Sequence, residues 1–303
     1  MKVVTPIKLD VLESTVAETD DGDGVLWNAS TTYAKNARVR YEHNRYISLA
    51  DSNKGNTPQP KYSDPLLTKW RNLGPTNRYA LIDDTVGTQT VATGATSMRF
   101  VMPFNRCTSF GLLNVDAAFV SVLVKDDSGD VFFQRDYTMT ADLTSFSAYQ
   151  YCFYPIVASH DLVATEVPMP ILGTLEVTLS GIEDPAIGHV VCGRTSVLGK
   201  TKYGAEVGET DYSRKETDEF GVTTFIRRAS ASNMSLPLYL HPDQSDAVKR
   251  ILTNLRATPA LWVGDNRDEG FEALTIWGWK EEHRLVYAGL NEMEFKLDIQ
   301  GLI

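Results

Sequence analysis

The sequence predicts a mostly β protein: a small N-terminal module, a central β-sandwich, and a C-terminal β-rich domain with one amphipathic helix. Three observations predict it. Beyond residue 76, apolar runs of strand length follow one another, separated by turn-forming stretches such as Asp126-Asp127-Ser128-Gly129-Asp130, the spacing of hairpin-linked strands in sandwiches and barrels. A helical period is convincing only at 243–255. With 43% hydrophobic and 22% charged residues in 303, the chain has the composition of a globular protein with a real core, enough for about two or three domains.

Residues 1–24 read as an extended leader ending in the acidic run Thr19-Asp20-Asp21-Gly22-Asp23-Gly24, a solvated turn or linker. The run lacks the Asp-x-Asn/Asp-x-Asn/Asp-Gly loop and distal Glu of a calcium site. Residues 25–75 form the small module. Val39 and Tyr41 alternate with Arg38 and Arg40, Tyr46 and Ser48 flank Ile47, and the polar Glu42-His43-Asn44 joins the two as a hairpin. Residues 76–184 hold strands at 97–102, 109–113, 118–125, 131–137, 149–156 and 175–180, a sandwich of jelly-roll type. Residues 185–303 continue with strands at 188–198, 223–229 and 234–240 around a polar stretch at 208–221. The helix opens after His241-Pro242 with an acidic first turn. It places Ala247, Val248, Ile251, Leu252 and Leu255 on one face and stops at Thr258-Pro259. Strands at 260–263, 273–279, 284–287 and 293–302 complete the chain.

The module crowds Trp27, Tyr33, Tyr41, Tyr46 and Trp70 into a turn-rich segment too short to bury them all. Rings left on a small sheet stack on the apolar face of a pyranose while neighbouring amides take its hydroxyls. Trp27, Tyr33, Val39 to Tyr41, Tyr46, Pro58 and Trp70 together resemble the small chitin-binding type of carbohydrate-binding module. That family has a Gly in the turn before its Val-x-Tyr strand; here the position is Asn36, which also tolerates positive φ. The resemblance implies that the five aromatics are glycan-binding candidates, and also that several of them are core residues.

A net charge of −10 and a pI near 5.0 disfavour nucleic acid and other polyanionic partners. Cys107, Cys152 and Cys192 show no C-x-x-C pairing, which argues against zinc and against a disulfide framework and for buried thiols made in a reducing compartment. The start lacks the apolar run of a signal peptide, and no stretch of about 18 apolar residues suggests a membrane span. No Gly-x-Ser-x-Gly, His-Glu-x-x-His, Walker or dinucleotide motif occurs. His160, His189, His241 and His283 share no metal-binding spacing. Catalytic residues, cofactors and metals are therefore none of the expectation, although Glu206, Glu209 and Asp211 would be the first carboxylates to test for a glycosidase.

Pro75 to Asp83, with Asp84, and the ending from Thr258 through Trp262, Trp277 and Gly278 to Leu302 resemble, with the module before them, tail proteins of tailed bacteriophages. The resemblance implies a non-enzymatic virion protein of the tail tip or baseplate, related to distal tail proteins, made in the host cytoplasm. Its implied partners are other copies of itself in a ring, other tail or baseplate proteins and host-surface polysaccharide. The leader 1–18 and the polar segment with Gly208, Asp211, Tyr212 and Gly221 are the assembly-arm candidates, because ring contacts use strand pairing and arm exchange. The alternatives are a carbohydrate-active hydrolase with an N-terminal polysaccharide-binding module, or a stand-alone lectin.

Overall fold

A computed structural model describes residues 1–59, 69–83, 85–139, 149, 158–217, 219–265, 272–287 and 293–302, with side chains at all of these except 272 and 282–287. The strand expected at 149–156 lies outside the described residues apart from Tyr149, and so does Cys152. The fold is mostly β and is organised around an 11-stranded sheet and a five-stranded sheet.

The five-stranded sheet runs Val131–Thr138, Phe119–Asp126, Leu172–Ser180, Ser97–Asn105, Glu13–Ser14, all antiparallel. Strict alternation sends Met98, Phe100, Met102, Val120, Val122, Val124, Leu175, Val177 and Leu179 to one face, where all are buried. They pack on Phe110, Leu112, Ile187, Val190 and Cys192 of the larger sheet, which makes this part a sandwich. On the outer face Glu176 accepts from Arg99 Nε at 2.5 Å and Lys125 Nζ at 3.0 Å. The hydrogen-bonded Arg99 holds the Glu176 carboxyl below the usual carboxylate range.

The large sheet follows the order Leu162–Ala164, Ser109–Asp116, Ala186–Val197, Lys2–Pro6, Ala260–Val263, Thr275–Tyr287, Met293–Gly301, Ser230–Leu240, Lys200–Thr201. Glu206–Asp211 also pairs with Ser230–Leu240, and Thr90–Val91 with Ala186–Val197. Two expectations change here. The leader is no arm over its first residues: Lys2–Pro6 is a central strand, hydrogen-bonded to Ala186–Val197 on one side and Ala260–Val263 on the other. Strands from both sides of the expected boundary at 184 also share this one sheet. Val3 and Val4, adjacent in sequence, are both fully buried and join different clusters on opposite faces. That is what a two-sided central strand demands. Close pairing needs a glycine at 193, because a Cβ there would lie 2.1 Å from the Thr5 carbonyl oxygen.

The second half of the sheet is covered by the helix Ser245–Asn254, entered through a 3₁₀ turn at Pro242–Gln244. Val248, Leu252 and Leu255 are buried against Leu236, Leu238, Trp262, Phe295 and Leu297. Ile251 is half-buried against them, but Ala247, expected on the same face, is exposed. Its position lies just outside the narrow stripe that reaches the sheet.

The module is a four-stranded sheet, Val25–Leu26, Arg38–Tyr41, Asn44–Ser48, Trp70–Pro75, with a two-stranded ribbon Thr32–Tyr33 and Asn53–Lys54 beside it. Its hairpin turns on Glu42 (φ 46°) and His43 (φ 62°), and Asn36 takes φ 68° as its residue type allows. The acidic run is a turn rather than a linker, solvated at Asp20, Asp21 and Gly22. Asp20–Asp23 makes one helical turn capped by Thr19, and Asp23 is 2% exposed.

Candidate functional site

Burial divides the aromatic run. Tyr33, Tyr46 and Trp70 form the module core with Val39, and the Tyr33 and Trp70 rings meet edge to face at 5.3 Å. Asn28 N donates to Tyr33 Oη at 2.8 Å and Trp70 Nε1 donates to Asn56 O at 2.7 Å, so the polar ends of both are used structurally. As glycan platforms these three are corrected: a ring that fills a core offers no face to a pyranose. Trp27 and Tyr41 remain half-buried at the surface, edge to face at 5.3 Å, next to exposed Val25 and Leu26. The Glu42 carboxylate beside it raises the Tyr41 phenol above its ordinary range.

The segment with Gly208, Asp211, Tyr212 and Gly221 belongs to one long hairpin. Glu206–Asp211 pairs with Ser230–Leu240 in register Glu206↔Ser235 to Asp211↔Ser230. Bonds from Tyr212 N to Ala229 O and Arg228 N to Ser213 Oγ carry the hairpin on, and Arg214–Thr217 then pairs with Thr223–Ile226 as a separate two-stranded sheet. All residues of those two outer strands are exposed, Phe225 by 73% and Ile226 by 41%. Sequence reasoning placed a strand at 223–229 but did not single out Phe225 and Ile226. The signal was available in an apolar pair flanked by Thr223-Thr224 and Arg227-Arg228.

The carboxylates considered for hydrolysis do not converge. Glu206 lies on one face of its strand and Glu209 and Asp211 on the other, and all three are exposed. Glu206 borders an open groove with Glu281 and Asp298, while Asp211 accepts from Ser213 N at 2.8 Å. Among the described residues, no three His, Cys, Asp or Glu side chains are grouped to hold a metal, and no helix is long and apolar enough to cross a membrane.

The histidines have separate settings. His160 Nδ1 lies 3.2 Å from Asp116, and His241 Nδ1 lies 3.2 Å from Asp243. His43, at the hairpin turn, stacks on Tyr79 with ring centroids 3.8 Å apart and approaches Glu18 at 3.3 Å. His189 is 5% exposed and lines a 390 Å³ cavity with Trp277, Ile7, Leu9 and Lys8. Its Nδ1 has no hydrogen-bond partner, and burial alone pulls its pKa from 6.5 to about 4. Cys107 and Cys192, distant in sequence, meet as buried free thiols in the sandwich core, where hydrogen bonding to Cys107 and burial push the Cys192 thiol far up. Both are buried thiols, as expected, and the raised Cys192 stays protonated and unreactive, because the thiolate is the reactive form.

A polar junction ties together the segments that enter and leave the module, and the module itself is held there by Thr76 N donating to His43 O at 2.8 Å. Glu18 Oε1 accepts from Thr76 Oγ1 at 2.6 Å; Asp23 accepts from Asn77 N at 2.8 Å and Thr19 N at 3.1 Å. A cleft of 590 Å³ opens beside this junction, lined on the module side by Arg45 and Pro75 and on the sandwich side by Thr88, Val91, Thr93 and Ser97. Nothing in the sequence pointed to it, because its walls come from segments that only the tertiary fold brings together. Neither a protein-family model nor a curated protein matches this chain.

Proposed function

We propose that the protein is a structural component of a bacteriophage tail tip or baseplate that assembles with copies of itself and turns its N-terminal module toward host-surface glycans. The observation that carries the assembly part is the projecting hairpin. An isolated two-stranded ribbon is marginal in water, and Phe225 and Ile226 on it have no core of their own to enter. Such a ribbon gains most by laying its apolar residues and open strand edges on a neighbouring subunit. The tail assignment rests on the resemblance of Pro75 to Asp83 and of the ending 258–302 to tail proteins, and it fits a chain whose acidic surface keeps many copies soluble before assembly.

The contact with glycans is narrowed by burial to Trp27 and Tyr41. A neighbouring apolar rim at Val25 and Leu26 extends the surface on which a sugar ring can lie. Immunogold labelling of purified particles with an antibody to this protein tests the assignment. Gold at the tail end is the expected result, and particles without this protein would overturn it.

A further inference from the structure

We infer that the cleft between the module and the sandwich binds a small hydroxylated oxyanion, an acidic sugar or a polyol phosphate, anchored on Arg45. At 590 Å³ it falls within the roughly 300–1,000 Å³ of small-molecule sites. Arg45 stands directly opposite Arg40 in the antiparallel register, so two guanidinium groups share one face of the module sheet. Arg40 is answered: its Nη1 lies 2.5 Å from Asp20 and 2.6 Å from the Gly24 carbonyl oxygen. Arg45 is not. Its Nε is buried without a hydrogen-bond partner, and among the described residues no carboxylate pairs with it.

An unpaired guanidinium, half-buried beside a second one, is costly, and a group of this kind calls for a completing partner, which an open cleft can supply as a ligand. This chain has 39 carboxylate side chains against 29 Lys and Arg, so a partner for Arg45 was not scarce. Asp23 also lines the cleft, but both of its oxygens already accept backbone N–H groups. The planar fork of Arg matches carboxylate and phosphate oxygens in a bidentate pair. On the opposite wall the exposed Thr93 and Ser97 hydroxyls meet ligand hydroxyls, and Val16 and Ala92 meet its carbon skeleton. This site is separate from the Trp27 and Tyr41 face, and it holds for the isolated chain whether or not the tail assignment stands.

Isothermal titration of the full chain at low salt with galacturonate, galactose and glycerol 3-phosphate tests the inference. Galacturonate, glycerol phosphate or both should bind saturably, and galactose at least about tenfold more weakly, as expected for a lost charge-assisted pair. Binding of one anion and not the other identifies the source of the oxyanion. Arg45→Gln should abolish the preference, Arg45→Lys should weaken it, and Trp27→Ala should leave it unchanged. Thermal unfolding of Arg45→Gln should give an unchanged or higher Tm, because an unsatisfied charge has been removed. No binding of either anion, equal binding of galactose, anion binding that survives Arg45→Gln, or a large drop in Tm from that substitution would overturn the inference.

Discussion

Trp27 and Trp70 open and close the same aromatic run yet do different work. Trp70 is 4% exposed, packs on Tyr33 and donates to Asn56 O, so Trp70→Ala should cost the module about 3 to 5 kcal/mol and remove its cooperative unfolding. Trp27→Ala removes a half-buried ring and should leave that transition within about 1 kcal/mol of wild type, a contrast that urea unfolding followed by tryptophan fluorescence measures. That several of the five aromatics would be core residues was expected, but which ones was not legible, because one sequence cannot say which side of a strand finds a core. Strand alternation did say that Tyr46 and Ile47 face opposite ways.

His189 carries a pH dependence with a definite sign. Buried and neutral, it resists protonation in the folded state until about pH 4, whereas the unfolded chain takes up the proton near 6.5. Its contribution is therefore fully present above pH 6.5 and is lost as pH falls toward 4, up to on the order of 3 kcal/mol. Denaturation midpoints at pH 7.5 and pH 5 should differ in that direction, and His189→Gln should flatten the difference.

At the scale of elements, the central strand and the helix were read unequally well. The helix was legible because Val248, Leu252 and Leu255 repeat at helical spacing, and Leu252→Ala should destabilise the C-terminal half by about 2 to 5 kcal/mol. Lys2–Pro6 was not legible as a central strand, because a short apolar run before a proline looks the same whether it pairs or hangs free. What decides it is partner geometry contributed by residues 193 to 197 and 261 to 263. Removal of residues 1–6 should therefore expose two sheet edges and yield insoluble protein, whereas loss of a free arm would leave the fold intact. Gly193→Ala, with its Cβ driven onto the Thr5 carbonyl, should mimic that truncation in part and lower Tm. The hairpin at 206–240 was seen as a polar stretch with strands after it. Its long continuous pairing stayed hidden because Ser, Thr, Gly and charged residues mask the alternation.

For the molecule as a whole, class, most strand positions and the module at 25–75 were readable, while the sharing of one sheet across residue 184 and the sites were not. The sandwich strands show in the sequence because each alternates across a buried face, as Met98, Phe100 and Met102 do. Strands on both sides of the boundary expected at 184 belong to one sheet, which recruits residues from 2 to 301. The cleft at Arg45 exists only once the module sits against the sandwich, with His43 bonded to Thr76 and the leader's Glu18 and Asp23 bonded to Thr76 and Asn77. The proposed assembly role is likewise a property of the whole, resting on a ribbon whose strands are exposed throughout. The most direct test of it is the native mass of the purified protein across a concentration series, for wild type and for Phe225→Asp with Ile226→Asp. Self-assembly through the hairpin predicts multiples of 33.7 kDa for wild type and a return to 33.7 kDa for the double variant, with the fold intact by circular dichroism. A wild-type mass of 33.7 kDa at every concentration would contradict it.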